Sequence, residues 1–363
     1  MTHGTTRHPT FTVCAPGLET IVVAELAKLG VNGNATHGGV NASMTSAQLM
    51  SANLRLRTAT RVLVRIARFP ADGFDTFGEG MAKIDWQPWL SEDTQIDVNV
   101  SSSQSKLYHT GAVQERVLAG LGAGTAGPPQ TVSIRVLRDE VTVSIDSSGE
   151  ALHKRGYRQA TAKAPVRETL AAALIIASGW DRRQPLLDPF CGSGTIPIEA
   201  AMIARRIAPG RHRPFAFQRW PEFDAAAWSR VVAGADADVI DKTPVILGSD
   251  RDAGAVAASI ANAGRAGVAP TFTHASLSDV VAPAPVGWMV TNPPYGERVG
   301  GGNLRDLYDR WANVMKTAPF NRWHLALIAP HDVLTRRLGL LDSVLRTTNG
   351  GIDVDFLTLP PAL

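Results

Sequence analysis

The chain has 363 residues, 44% of them hydrophobic and 19% charged, with a formal net charge of +3. That balance excludes a disordered polyelectrolyte and predicts about two globular domains of ordinary size. Its two cysteines, Cys14 and Cys191, are far apart and the histidines have no ligand spacing, so neither a disulfide framework nor a metal site is implied.

Residues 1–9 are polar and lack an apolar signal core. The longest apolar helical run, residues 170–177, is too short to span a bilayer, so a cytoplasmic protein is expected. Up to about residue 150, helices are predicted over 18–29 and 112–121, and strands over 62–67, 95–100, 132–136 and 141–145. This is an α+β pattern, in which the Gly- and Pro-rich stretch 122–129 reads as a surface loop. After residue 160, helices alternate with short buried strands, which predicts a mostly parallel sheet with helices on both faces. A long interval, roughly 205–242, interrupts that alternation as an insertion.

Three stations in this second half carry chemistry. The first runs Leu186-Leu187-Asp188-Pro189-Phe190-Cys191-Gly192-Ser193-Gly194-Thr195, followed by residues 196–201, and reads as a buried strand, a tight turn and a helix start. Gly192 and Gly194 let the backbone approach a ligand, and the following helix offers free amides to an anionic group. Pro197 stands where a dinucleotide fold would place its third glycine, and no Gly-Lys-Ser/Thr follows, which disfavours both NAD and a P-loop. The second station, Asp250, ends the strand 245–250 and suits ribose hydroxyls; its alternative role is an N-cap for the helix predicted over 253–263.

The third station is Asn292-Pro293-Pro294-Tyr295, after the apolar stretch 288–290. An Asn side-chain oxygen and the carbonyl of a Pro-Pro step are two adjacent acceptors, and the Tyr ring offers a stacking surface. Two acceptors holding a planar NH2 localise its lone pair and aim it at a methyl donor. The alternative is that Asn-Pro-Pro merely ends a strand. Cys191 lies inside the first turn, away from this tetrapeptide, which argues against a cysteine nucleophile.

The local charge pattern points to nucleic acid. Residues 153–167 carry Lys154, Arg155, Arg158, Lys163 and Arg167 without an acid, and residues 205–219 carry Arg205, Arg206, Arg211, Arg213 and Arg219. Tyr157, Phe215, Phe217 and Trp220 are interleaved as candidate stacking rings. A solvated basic face with core aromatics is the competing reading.

In these stations, in the runs 153–158, 164–170 and 219–221, and more loosely over most of the chain including Leu107-Tyr108-His109-Thr110, the sequence resembles the THUMP-domain-containing, S-adenosylmethionine-dependent RNA guanine-N2 methyltransferases. Its motifs are most similar to the unit that modifies large-subunit ribosomal RNA, then to the related tRNA enzymes. The resemblance implies a ferredoxin-like unit over 1–45, a THUMP-like RNA-binding domain over 46–150, and a Rossmann-like methyltransferase domain over 151–363. It implies a cofactor site formed by Pro165, Glu168, Thr169, Asp188, Pro189, Cys191, Gly192, Ser193, Gly194, Thr195, Asp250, Arg251, Ser276 and Asn292. It places Asn292, Pro293, Pro294 and Tyr295 at the target base, and Lys106, His109, Lys154, Arg155, Tyr157, Arg158, Arg211 and Arg213 against RNA. At one position the chain departs from the family: Ser276 stands where an acid is usual for the adenine amine, with Asp279 three residues on. Ribosomal RNA is expected ahead of tRNA as partner, without a membrane or metal, and a monomer is favoured. The competing functions are adenine-N6 methylation, protein glutamine methylation, and an RNA-binding factor whose cofactor site has decayed.

Overall fold

The computed structural model describes residues 6–122, 124, 126–159, 166–295 and 304–361. The chain divides into two compact units. The first comprises the chain up to Cys14, Val22–Leu152 and Pro214–Ala233, and the second Ala15–Ile21, His153–Arg213 and Gly234–Leu363.

The first unit's elements run β1 (Arg7–Cys14), α1 (Glu19–Ala27, which begins in the second unit), β2 (Gly33–Thr36), β3 (Gly39–Thr45), α2 (Ser46–Arg55), β4 (Ala59–Pro70), α3 (Phe74–Ala82), β5 (Thr94–Ser103), α4 (Thr110–Leu121), β6 (Ala126–Leu137) and β7 (Glu140–Asp146). They form one seven-stranded sheet in the order β2-β3-β1-β4-β7-β6-β5. The 12-residue β4 is its seam: Val64 pairs with Thr10 of β1 on one side and with Ile145 of β7 on the other. Residue 45 is therefore no break in the sheet. It is the N-cap of α2, where Thr45 and Gln48 form a reciprocal capping box. Alternation along β6 sends Val132, Ile134 and Val136 into a core with Val98, Val143 and Ile145, while Ser133 and Arg135 face the other way. The expected loop 122–129 is shorter than its composition suggests, because Gly127, Pro128 and Pro129 already belong to β6, at a register irregularity opposite Thr94–Ile96; residues 123 and 125 lie outside the described residues.

The second unit contains α5 (Glu168–Ala177), β8 (Leu186–Asp188), α6 (Thr195–Ala204), β9 (Ile246–Asp250), α8 (Ala253–Ala266), β10 (Thr271–His274), β11 (Gly287–Thr291), α9 (Leu304–Lys316), β12 (Trp323–Ala329), β13 (Asp342–Asn349) and β14 (Ile352–Leu359). The helix α7 (Ala225–Ala237) begins in the first unit. The sheet order is β10-β9-β8-β11-β12-β14-β13; the first five strands are parallel and β14 runs antiparallel to both neighbours. All ten residues of α6 are buried, which is why its sequence shows no polar stripe. Helix α9 is amphipathic and lays Tyr308, Trp311 and Met315 on a core shared with Met289, Leu327 and Trp323. This is the expected α/β architecture, a Rossmann-like domain preceded in the chain by an α+β region. Residues 214–233 of the anticipated insertion group with the first unit.

Candidate active site

In the second sheet, successive strands run outward from β8 in one direction, through β9 to β10, and from β11 in the other. The carboxyl ends of β8 and β11 therefore flank the point where the order reverses, the position at which open α/β sheets place a ligand crevice. The first and third stations begin at those two ends.

After Asp188 the chain turns through Gly192 at φ 53° and Gly194 at φ 84°, both in the left-handed region. A methyl group on Gly194 would also lie 2.9 Å from Cβ of Ser259. Helix α8 secures the turn, since the Ser259 hydroxyl donates to the Gly192 carbonyl at 2.8 Å and Asn262 Nδ2 to the Ser193 carbonyl at 3.0 Å. The Cys191 amide donates to the Ser249 carbonyl at 2.9 Å. Asp250 accepts the Gly192 amide at 3.0 Å. The N-cap of α8 is Asp252, whose carboxylate accepts the amides of Gly254 and Ala255, so capping does not occupy Asp250. Arg251 is exposed, and its carbonyl meets the His274 ring at 3.0 Å. The Ser276 hydroxyl donates to Asp279 Oδ2 at 2.6 Å, which sets the neutral residue and the nearby acid side by side.

Burial sets the protonation states. Asp188, fully buried, has its carboxyl raised to about 7, because desolvation outweighs the Thr291 hydroxyl and the Phe190 amide that favour its charge. Burial pushes the Cys191 thiol well above its ordinary range, aided by the charges of Asp188 and Asp250. The burial of Cys191 and its position inside the first turn both argue against a cysteine nucleophile.

At the end of β11, Asn292 Oδ1 is buried and has no hydrogen-bond partner among the described residues. Ser193 Oγ is in the same condition. Such acceptors are costly unless something donates to them. The tetrapeptide itself is braced: Tyr308 OH donates to the Pro294 carbonyl at 3.3 Å, and Asn349 Nδ2 donates to Tyr295 OH at 2.8 Å. Pro293 is buried, Tyr295 packs against the core cluster, and Pro189 is buried beside the first turn.

The basic run 153–159 is used differently from the sequence expectation. Arg155, 3% exposed, pairs with Glu199 at 3.5 Å, and Tyr157 OH donates to the same carboxylate at 3.1 Å. Both lie inside the unit, so neither reaches an RNA: a buried acid on α6 draws them inward. Arg158 donates to the Val166 carbonyl at 2.8 Å and to Glu168 at 3.0 Å. Glu168 is buried, and its carboxyl is raised to about 7 by desolvation. Thr169 is buried on α5; Pro165 and Lys163 lie outside the described residues, as does the glycine-rich loop after Tyr295. His153 is lowered to about 4 by burial and by Arg167, Arg158, Arg155 and Lys154, so it is neutral. Lys154 is exposed. Arg211 forms a two-pronged pair with Asp236 at 2.7 and 3.0 Å, and Arg213 donates to the Lys154 carbonyl at 3.3 Å.

In the first unit, Lys106 pairs with Asp72 at 3.0 Å, and His109 is the exposed N-cap residue of α4. Phe215 and Phe217 are buried and stacked on each other at 5.4 Å, and Trp220 packs edge-on to Trp89 at 4.9 Å. These rings serve the core, which corrects their reading as stacking platforms for bases. The sequence reading missed Thr291, Ser259 and Asn262; the polar pair at i and i+3 in the Ala-rich α8 was the available signal for the last two.

The parallel sheet, the glycine turn on β8 and the Asn-Pro-Pro-Tyr end of β11 define a Rossmann-type methyltransferase. Residues 155–351 match the family model of the RMKL-like methyltransferase domain, and residues 10–63 match that of the RlmL ferredoxin-like domain. The chain belongs to the RMKL-like methyltransferase family. It is 33% identical to slr0064 of Synechocystis sp. over 97% of this chain and 96% of that one. It is 32% identical to YpsC of Bacillus subtilis over 94% and 92%. The names of both propose RNA methyltransferase activity. Among solved structures it is similar to SMU.472, whose description proposes a methyltransferase and which is complexed with SAH, at TM-score 0.89, 29% identity and 99% coverage of both chains. A Listeria monocytogenes protein, described as a predicted N6-adenine-specific DNA methylase, matches at TM-score 0.89 and 32% identity over 99% of this chain and 98% of that one. TrmN from Thermus thermophilus shares the fold at TM-score 0.72 and 17% identity, covering 98% and 100%. Among the described residues, no helix is long and apolar enough to cross a membrane.

Proposed function

We propose that this methyltransferase transfers a methyl group from S-adenosylmethionine to the exocyclic N2 amine of a guanosine in structured RNA, with ribosomal RNA ahead of tRNA as substrate. The observation that carries the reading is the buried, unpartnered Oδ1 of Asn292 at the end of β11. A buried acceptor at the switch point of the sheet calls for an N–H donor, and a flat amine supplies one.

The residues fit the cofactor. The left-handed turn at Gly192–Gly194, the unpartnered Ser193 hydroxyl and Asp250, whose two oxygens accept the amides of Gly192 and Asp252, supply a close backbone, a hydroxyl and a carboxylate. When bound, S-adenosylmethionine supplies an electrophilic methyl on a positively charged sulfur. In this reading Asp188, Pro189, Cys191, Gly192, Ser193, Gly194 and Thr195 line one end of its site, Asp250 and Arg251 the middle, and the Ser276–Asp279 pair the adenine end. Glu168 and Thr169 would support the site from α5. Asn292 Oδ1 and the Pro293 carbonyl accept the amine hydrogens, which localises the nitrogen lone pair. Pro294 and the bond from Tyr308 fix the backbone, and the Tyr295 ring stacks on the base. The methylated nitrogen is far more acidic than the starting amine and loses its proton to water, so no strong base is required.

For substrate capture, the exposed Lys154 and the partly satisfied Arg158, Arg211 and Arg213 are candidates in the second unit, and Lys106 and His109 in the first, where the sheet beyond β4 would serve as a THUMP-like RNA-binding region. The Listeria relative's description keeps adenine-N6 methylation as a second reading, since the tetrapeptide accepts either amine.

The test is to incubate the full chain with S-adenosylmethionine and RNA from a strain lacking the enzyme, then identify nucleosides by mass spectrometry. N2-methylguanosine is expected. N6-methyladenosine as sole product overturns the base assignment. Calorimetry showing no S-adenosylmethionine binding overturns the enzyme reading in favour of an RNA-binding factor.

A further inference from the structure

We propose that the open face of the first unit's sheet, centred on Arg65, Arg68 and Arg135, binds the phosphodiester backbone of RNA. The proposal rests on RNA being the substrate class, and it narrows the RNA-binding role that the resemblance gives residues 46–150 to one face of the sheet and three named cations.

Three arginines reach one face because of a fault in the strand. Side chains alternate along a strand, so residues 65 and 68 should face opposite ways. Between Arg65 and Ala67, however, β4 shifts its register against β7 by one residue. Arg65 then pairs with Ser144 and Arg68 with Thr142, and because those two partners are two residues apart, both arginines share a face. Bulges of this kind re-aim side chains and recur where a sheet is put to use. Without the bulge, one of the two guanidiniums would be directed to the side of Val143 and Ile145, which are buried.

The register carries the pattern across four strands. One row reads Arg68, Thr142, Arg135, Ser101, and the next reads Arg65, Ser144, Ser133, Asn99. The rows lie about 7 Å apart, and Arg68 and Arg135, two strands apart, are separated by about 10 Å. Asn99, Ser101 and Arg135 are exposed. The cations are therefore spaced as a grid; Ser144 beside Arg65 is buried, while the half-buried Thr142 and Ser133 and the exposed Asn99 and Ser101 add neutral hydrogen-bonding groups that suit a run of phosphates.

The positive charge is incompletely compensated. Arg135 has no carboxylate partner among the described residues. Arg65 is anchored by neutral groups, with its guanidinium 4.8 Å above the Phe11 ring and donating to Asn41 Oδ1 at 2.5 Å. Burial, then the charges of Arg135 and Arg68, hold it below its ordinary range. Arg68 pairs with Glu140, but its side chain is 73% exposed, and such surface pairs yield readily to a polyanion. Asp146 on this face is taken by Arg61, and Asp97 stands on the outermost strand, β5. A planar guanidinium binds a phosphate through two parallel hydrogen bonds, which makes arginine the fitting cation here. Phe11 lies beneath Arg65, so the face offers charge and hydroxyls in place of an apolar patch.

The experiment titrates a fluorescein-labelled RNA stem-loop with the full chain, following anisotropy over a range of salt concentrations. Arg68→Gln with Arg135→Gln, both at exposed positions, should lower the slope of log affinity against log salt by about 1.5 to 2. Adding Arg65→Gln should lower it by nearly one more unit, and Arg135→Glu alone should weaken binding more than Arg135→Gln. Calorimetric affinity for S-adenosylmethionine should be unchanged in every variant, which shows that each is folded. An unchanged slope in the double variant, with wild-type chain binding the RNA, overturns this surface and leaves the function intact. Wild-type chain that binds no RNA at any salt overturns both.

Discussion

The hydroxyl of Thr291 donates to Oδ1 of Asp188 at 2.5 Å, with both residues buried. This bond ties the carboxyl ends of two neighbouring parallel strands, so the glycine turn and the Asn-Pro-Pro-Tyr segment share one brace. It also sets a charge. The Thr291 hydroxyl is the largest influence holding the Asp188 carboxyl down against the desolvation that raises it to about 7.

Thr291→Val should therefore raise the Asp188 carboxyl further, and Thr291→Ser should restore it. A positively charged cofactor favours the carboxylate, so S-adenosylmethionine affinity should weaken as pH falls through about 7, with the midpoint displaced upward in Thr291→Val and absent in Asp188→Asn. Calorimetry across about pH 5.5 to 8.5 checks this. Stability runs the opposite way. The folded state keeps this proton to about pH 7, whereas the unfolded chain releases it near pH 3.9, so the contribution of Asp188 to stability falls as pH rises through that window. Asp188→Asn should remove that fall.

Asn292→Ala should reduce single-turnover methylation by about 100- to 1,000-fold, the effect of removing one preorganised transition-state hydrogen bond. Cofactor affinity should stay close to wild type. Full activity in Asn292→Ala, measured on unmodified RNA, would sink the amine-positioning mechanism.

Tyr295→Phe keeps the ring and removes the acceptor of the bond from Asn349 Nδ2. It should lower stability by about 1 kcal/mol, visible as a lower midpoint in urea, with turnover reduced only mildly. Tyr295→Ala removes the stacking surface and should be severe in turnover. Equal activity of the Phe and Ala variants would show that the ring does not hold the base.

Arg155→Ala should act on stability and not on RNA affinity. It leaves Glu199 buried without its cation, a loss of about 3 to 5 kcal/mol in comparable pairs. Lys154→Ala, at the exposed neighbouring position, should leave the melting temperature within about a degree or two and weaken RNA binding. Paired thermal melts and anisotropy titrations separate the two residues.

The amino-acid order alone carried the Rossmann-like half of the molecule, because its signals are local. The apolar runs read at 186–188, 245–250 and 288–290 became β8, β9 and β11, with ends differing by a residue in the last two, and the Gly-x-Gly turn and Asn-Pro-Pro-Tyr segment each need only a few adjacent residues to declare themselves. The α+β character of the first unit was legible from period-two alternation in β5, β6 and β7. The capping box at Thr45 and Gln48 was also written there, although β1, β3 and α2 had gone unassigned.

What the tertiary structure decided were the relationships between distant residues. A run of cations reads as surface in one dimension; only the approach of α6 shows that Glu199 draws Arg155 and Tyr157 inside, since the pairing spans 44 and 42 residues. The same holds for Thr291 and Asp188, 103 residues apart, whose bond exists because β8 and β11 are neighbours in the sheet. The single-residue slip at Arg65 is the sharpest case: alternation along β4 predicts that Arg65 and Arg68 diverge, and only the pairing with β7 places them on one face. Side-chain direction in a strand follows from its partner's register, and register is a property of two segments together.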